Sequence, residues 1–306
     1  MRSLLVLSTL VGLGMLGMTT VGMSPTSLVS NVAVGTGMGA KLACSGHFLS
    51  GFDEAQIRQD LASYSPAYDW LSLSIDEQAL RARVSLMGFA ETSAIYREGI
   101  GCTLDREGGD LLTQLNAPKA PWVDNTLPWP AGSAEPVLNE TLMQTLAASL
   151  EQDQAEGLQT RALVLVQHGQ IRAEAYAPGI TPDTPLMGWS MGKSLTALML
   201  GWLEQRGQLT VEEEDLFDVW SQDERASIQI KDLLQMASGL DFSEVYVPGS
   251  DATRMLFMEP SAARVPLQSP LKYPPGTRFS YSSGTTNLLS LLYSQRVGGP
   301  QNAINH

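Results

Sequence analysis

The chain has 306 residues, is 43% hydrophobic and carries a net charge of −13. That length and composition suit one large domain, or a domain with a small appendage, built around a buried core. The acidic balance excludes nucleic acid and anionic membrane surfaces as partners, because both are bound through basic patches.

Behind Met1-Arg2 runs an apolar, uncharged stretch, Leu4 to Met18, with the form of a signal-peptide core. The next charged residue is Lys41, so the uncharged segment is also long enough to span a bilayer. Residues 1–40 therefore read either as a cleaved signal peptide or as an N-terminal membrane anchor. Both readings export the rest of the chain, to the periplasm or to a membrane-anchored position facing it. Cys44 and Cys102 are the only two cysteines. In an oxidising compartment such a pair predicts a disulfide, contributing about 4 kcal/mol in the chain-entropy model. The three histidines and two cysteines show no ligand spacing, so neither a metal nor an organic cofactor is expected.

Residues 41–104 read as a small disulfide-linked module. Asp53 with Gln56 three positions later marks a helix start. Leu80, Ala82, Val84 and Leu86 alternate with Arg81, Arg83 and Ser85, which predicts a half-buried strand, with Ala94 to Leu104 as its partner. Residues 105–137 carry five prolines, among them Pro118, Pro121 and Pro128, and read as a linker or wrapping segment. A main domain follows over 138–306. Leu138 to Gln154 predicts a helix, and Leu163 to Val166 with Ile171 to Tyr176 predicts a hairpin turning at His168-Gly169. After Ser190 the apolar residues Leu195, Leu198, Met199, Trp202 and Leu203 recur with helical spacing up to Gly207. Shorter helices are expected at Lys231 to Met236 and around Leu288 to Tyr293.

The stretch Gly188-Trp189-Ser190-Met191-Gly192-Lys193-Ser194 fits, or nearly fits, three unrelated catalytic patterns. A phosphate-binding loop needs a glycine at position 187, which is Met187, so its backbone cradle is missing. A nucleophile elbow needs a buried strand before it and an acid and a histidine after it. Pro178, Pro182 and Pro185 precede the stretch, and the histidine that follows is His306. The third pattern, S-x-x-K, needs a serine at a helix start with a lysine one turn on. An uncharged Lys193 then takes the Ser190 proton, and the helix N-terminus favours the oxyanion. The spacing recurs at Ser269-Pro270-Leu271-Lys272, among prolines and with no helix after it, so spacing alone decides nothing.

Two further motifs follow in order: "LLQMASGL" at 233–240 and "PPGTRFSYSSGTTN" at 274–287. With Ser190 and Lys193 they resemble the serine β-lactamase-related superfamily, which includes class C β-lactamases, penicillin-binding-protein-like esterases and 6-aminohexanoate-dimer-hydrolase-like enzymes. The run "SGLDFSEVY", 238–246, resembles the dimer-hydrolase branch most. Tyr281 follows Ser190 at a separation of the right order for that family, and the cysteine module is similar to one found on some members.

The resemblance implies an α/β (α+β) fold of β-lactamase type: a mostly antiparallel sheet flanked by helices, plus a helical part, with Ser190 at the buried start of a long helix. It implies Ser190 as nucleophile, Lys193 as its base and Tyr281 as the group that passes a proton to the leaving group. Ser283, where many members have asparagine, and Tyr246 would line the substrate site. The expected reaction is hydrolysis of a small-molecule ester or amide through an acyl-enzyme. The family also carries a K-T-G or H-x-G motif on a later strand, and the tail "GGPQNAINH" contains neither. This predicts a catalytic domain incomplete at its C-terminus, with one oxyanion donor and several sheet strands missing. The competing expectation is a non-catalytic remnant, or a binding protein of the same family.

Overall fold

The computed structural model describes residues 25–106, 110–119, 122–129 and 131–305. The apolar stretch from Leu4 to Met18 lies outside them. The described residues form two compact units, one within 1–118 and 187–306 and the other within 119–186.

The first unit opens with α1, Pro25–Phe48. The expected leader boundary at residue 40 falls inside this helix, whose Val34, Thr36, Ala40, Ala43 and Cys44 are buried. Among the described residues no helix is long and apolar enough to cross a membrane. Asp53 caps α2, Glu54–Tyr64, by accepting from the Gln56 amide, as its spacing predicts. Four strands follow as an antiparallel meander: β1 Leu71–Asp76, β2 Arg81–Leu86, β3 Phe89–Arg97 and β4 Gly101–Leu104. The strand predicted at 80–86 is β2. Its expected partner segment is two strands rather than one, because the chain turns at Gly99, φ +71, before pairing Tyr96 with Cys102.

Small residues let α1 lie close on this sheet. Ala40 and Ala43 pack against Ala82, Ala94 and Val84, and a Cβ at Gly39 would stand 3.1 Å from Val84. The Cys44–Cys102 disulfide, with Cα atoms 6.0 Å apart, ties α1 to β4. Thr36 and Thr92 share a buried hydroxyl–hydroxyl hydrogen bond of 2.9 Å between helix and β3.

In the second unit, α4, Glu140–Ala155, accompanies the antiparallel hairpin of β5, Ala162–Gln167, and β6, Gln170–Tyr176; the short α3 is Asp110–Thr113, in the first unit. His168 and Gly169 both hold positive φ, 53° and 74°, the turn that matches strand twist in a two-residue hairpin.

The remainder of the first unit is helical: α5 Gly192–Gln205, α6 Ile230–Leu234, α7 Asp251–Phe257, α8 Arg264–Gln268, α9 Ser283–Arg296 and α10 Pro300–Asn305. Leu200 and Leu203 of α5, Leu233 of α6, and Leu288 and Leu292 of α9 close around the fully buried Trp220. The face of α5 that is buried carries Thr196, Leu200 and Leu203. Two residues of the expected apolar stripe, Leu195 and Leu198, are 60% and 71% exposed. The helix is apolar on both sides, and packing against α9 selects one of them.

Candidate active site

Ser190 sits in a 3₁₀ turn, Trp189–Met191, that runs directly into α5. Trp189 holds φ +42 there, a backbone conformation that an aromatic residue rarely adopts. Strain is thus stored one peptide before the Ser190 hydroxyl. Lys193 lies three residues before Thr196, on the buried face of α5, and is itself half-buried. That face meets α9, so Lys193 Nζ reaches both elements. It donates to Ser190 Oγ at 3.1 Å and to Ser283 Oγ, at the start of α9, at 3.0 Å.

Tyr281 comes to the same hydroxyl from the other side, donating to Ser190 Oγ at 2.8 Å. Its position is fixed by the 233–240 segment. The Ser280 amide donates to Met236 O at 2.7 Å and the Ser282 amide to Met236 Sδ at 3.4 Å. The amides of Lys272 and Tyr273 donate to Gly239 O, and that of Gly276 to Ala237 O. Gly239 has φ +78, and a Cβ there would stand 2.0 Å from Tyr273 O. Only glycine fits so close an approach of two backbones. The two motifs that stand apart in the sequence are therefore the two sides of one clasp, and its product is the placement of Tyr281.

The hydrogen bond with Ser190, and then the nearby Lys193 amine, hold the Tyr281 phenol below its usual value of 10.0. Lys193 Nζ is 4.9 Å from the centre of that ring. Tyr246 shows the opposite shift: burial first, then its hydrogen bond to Glu244, pushes its phenol up. Tyr246 OH donates to Glu244 Oε1 at 2.6 Å and lies 3.4 Å from Ser283 Oγ. Glu244 also accepts from the Ser283 amide at 2.7 Å and from the Ser283 hydroxyl. A carboxylate at the first turn of α9 answers the partial positive charge of that helix end.

All five residues named from the sequence, Ser190, Lys193, Tyr246, Tyr281 and Ser283, thus belong to one hydrogen-bonded group. Glu244 joins them; it stands within the 238–246 run, where only Tyr246 is expected from the sequence to be a site residue. One expectation is corrected: Ser190 is exposed rather than buried. The packed layer of α5 begins at Thr196, and Ser190 lies nearly two turns before it, past the end of the core. The other S-x-x-K serine, Ser269, follows α8 and takes no part in this group. Among the described residues no cluster of His, Cys, Asp or Glu is arranged to hold a metal ion.

The Ser190 hydroxyl accepts from both an amine and a phenol, so two donors point at the oxygen where charge would develop on its ionisation. The family model for Beta-lactamase matches residues 143–296, half of the chain, and spans Ser190, Lys193 and Tyr281. The chain belongs to the Beta-lactamase family. Its mixed α/β architecture with antiparallel sheets and flanking helices is consistent with the β-lactamase-like fold. Family membership places the chain in a superfamily of serine hydrolases. Among solved structures, "Putative 6-aminohexanoate-dimer hydrolase from Bacillus anthracis" is similar at 17% identity and a TM-score of 0.43, over 49% of this chain. The chain spans 44% of that protein's length. No curated protein matches it.

Proposed function

We propose that this Beta-lactamase-family chain hydrolyses a carboxylic ester or small linear amide through an acyl-enzyme on Ser190. The observation that carries the reading is the convergence of Lys193 Nζ and Tyr281 OH on Ser190 Oγ, at 3.1 and 2.8 Å. Lys193 takes the Ser190 proton as Oγ bonds to the carbonyl carbon. As the tetrahedral adduct collapses, the bond to the leaving oxygen or nitrogen breaks and Tyr281 supplies that atom's proton. The phenolate is then reprotonated by the Lys193 ammonium, which restores both groups. Water repeats the sequence against the acyl-enzyme, releasing the acid and free Ser190. Ser283 and Glu244 hold the Lys193 amine in place on its far side. The Cys44–Cys102 disulfide supports export into an oxidising compartment.

A nitrophenyl-ester assay tests the reading. The expected result is a burst of nitrophenol and covalent labelling by a fluorophosphonate probe, both lost in Ser190→Ala. The exposure of Ser190 favours a second reading, a non-catalytic member of the family that binds ligands at the same place. Intact, folded protein that neither bursts nor takes up the probe would establish that reading instead.

A further inference from the structure

A cavity of about 690 Å³ lies next to the strained turn, entirely within the first compact unit. Its size falls in the roughly 300–1,000 Å³ range of small-molecule sites. Trp189, the residue before Ser190, and Tyr246, bonded to Glu244, form its wall toward the serine. Gly35 and Met38 of α1, Tyr68 of the segment before β1 and Leu256 of α7 line the rest. Among the described residues no charged side chain lines it. Burial raises the Tyr68 phenol to about 12, with Tyr64 adding to the rise, as expected of a dry, weakly polar surround. The N-terminal helix and its module thus supply a substrate wall as well as a covalent staple.

We propose that this cavity takes the acyl chain of the substrate, so that the preferred substrates are esters of medium-length, uncharged alkyl acids. The inference rests on the hydrolase reading above. The acyl side is assigned by the position of Tyr281. That phenol meets the leaving group, is 43% exposed and is not among the cavity's lining residues. The leaving group therefore departs on the side away from the cavity, and the chain that stays on Ser190 is the one this apolar space can hold through both steps. An ionised head group has no partner there.

The test is the chain-length profile of nitrophenyl esters from acetate to octanoate. Transfer of each methylene from water into the cavity should raise kcat/KM by roughly threefold. Gly35→Phe fills the space from a fold-safe position: a Cβ at Gly35 meets nothing within 4 Å, and the site is inside a helix, where glycine is a poor residue. With an unchanged melting temperature, its octanoate-to-acetate ratio of kcat/KM should fall by about tenfold or more. A second measurement bypasses turnover: calorimetric binding of 2-nonanone, the ketone analogue of an octanoate ester, to Ser190→Ala with and without Gly35→Phe. Turnover with a flat profile that ignores Gly35→Phe overturns the cavity assignment and leaves the hydrolase standing. No turnover of any ester, with ketone binding that Gly35→Phe abolishes, retains the alkyl site and removes the hydrolase. Absence of both effects overturns both.

Discussion

Ser190-x-x-Lys193 and Ser269-x-x-Lys272 have the same spelling and different structures. In the first, a 3₁₀ turn continues into a helix, and the two side chains meet at 3.1 Å. In the second, Ser269 stands at the end of α8 in extended backbone, φ −65 and ψ 131. Its hydroxyl turns back to Val265 O, and Lys272 turns away to Asp241 at 2.7 Å. The carboxylate of Asp241 raises the Lys272 amine above its usual value, which fixes it as a cation. The same three-residue step makes a hydrogen-bonded pair on a helix, and on an extended chain it makes a buried serine contact and an unrelated exposed ion pair. What separates them is backbone geometry together with what else converges. Tyr281 and Ser283 come to the first pair, and an acid comes to the second.

Removing each lysine should separate the two pairs by the widest margin. Lys193→Met should lower kcat/KM on a nitrophenyl ester by about 10²–10⁴-fold, the usual worth of a positioned base. Lys272→Met should leave it within about twofold, because exposed ion pairs contribute little. Equal losses in the two variants would show that the helical pair has no special role.

Tyr281→Phe tests the convergence itself, with an expected loss of about 10²-fold in kcat. The pH profile adds a second sign. The active form keeps the phenol protonated, and the Tyr281 pKa is lowered from 10.0. Activity should therefore fall as pH rises through a value below 10, and this alkaline limb should vanish in Tyr281→Phe. The limb belongs to the coupled group of Ser190, Lys193 and Tyr281 rather than to one residue. An unchanged limb in the variant would take Tyr281 out of the proton path.

A smaller effect is expected from the clasp. Gly239→Ala forces a side chain into positive φ and against Tyr273 O. It should lower unfolding free energy by about 2 kcal/mol, within the range for local backbone strain. Chemical denaturation measures this. The surviving folded protein should also lose kcat, because the extended segment that carries Tyr281 is displaced. Ser269→Ala removes a buried hydroxyl that donates to Val265 O, so it should lower unfolding free energy by about 1 kcal/mol while leaving kcat unchanged.

What could be read from the sequence divides along similar lines. The Asp53 cap and the His168-Gly169 turn were legible because their causes lie within three residues of each other. Ser190 and Lys193 were legible through spacing plus two later motifs. The helix α1 was not, because Gly39, Ala40 and Ala43 serve close packing on a sheet and Gly37 a close approach to Phe257, and such a run reads equally well as a leader. Glu244 was not legible either. Its meaning comes from Ser283, 39 residues on, whose amide it receives at the start of α9. The exposure of Ser190 depends on where the core ends, which periodicity along α5 does not mark.

The finest comparison is between two tyrosines that differ by their neighbours. Tyr281 sits against an amine and a serine hydroxyl and is pulled toward the phenolate. Tyr246 sits against a carboxylate, is partly buried and is pushed away from it. Environments that separate two like groups in this way assign them different work. Tyr281 is the phenol eased toward giving up its proton, and Tyr246, held the other way, donates to Glu244. Tyr246→Phe deletes the same atom as Tyr281→Phe, yet it removes one hydrogen bond from a partly exposed carboxylate rather than a step in the proton path. Loss of one such bond is worth about 0.5–1.5 kcal/mol, so KM should rise by roughly threefold to tenfold while kcat and the alkaline limb stay in place. A fall in kcat as large as that of Tyr281→Phe would mean that the carboxylate side of the site also moves protons, and that the two phenols share one role.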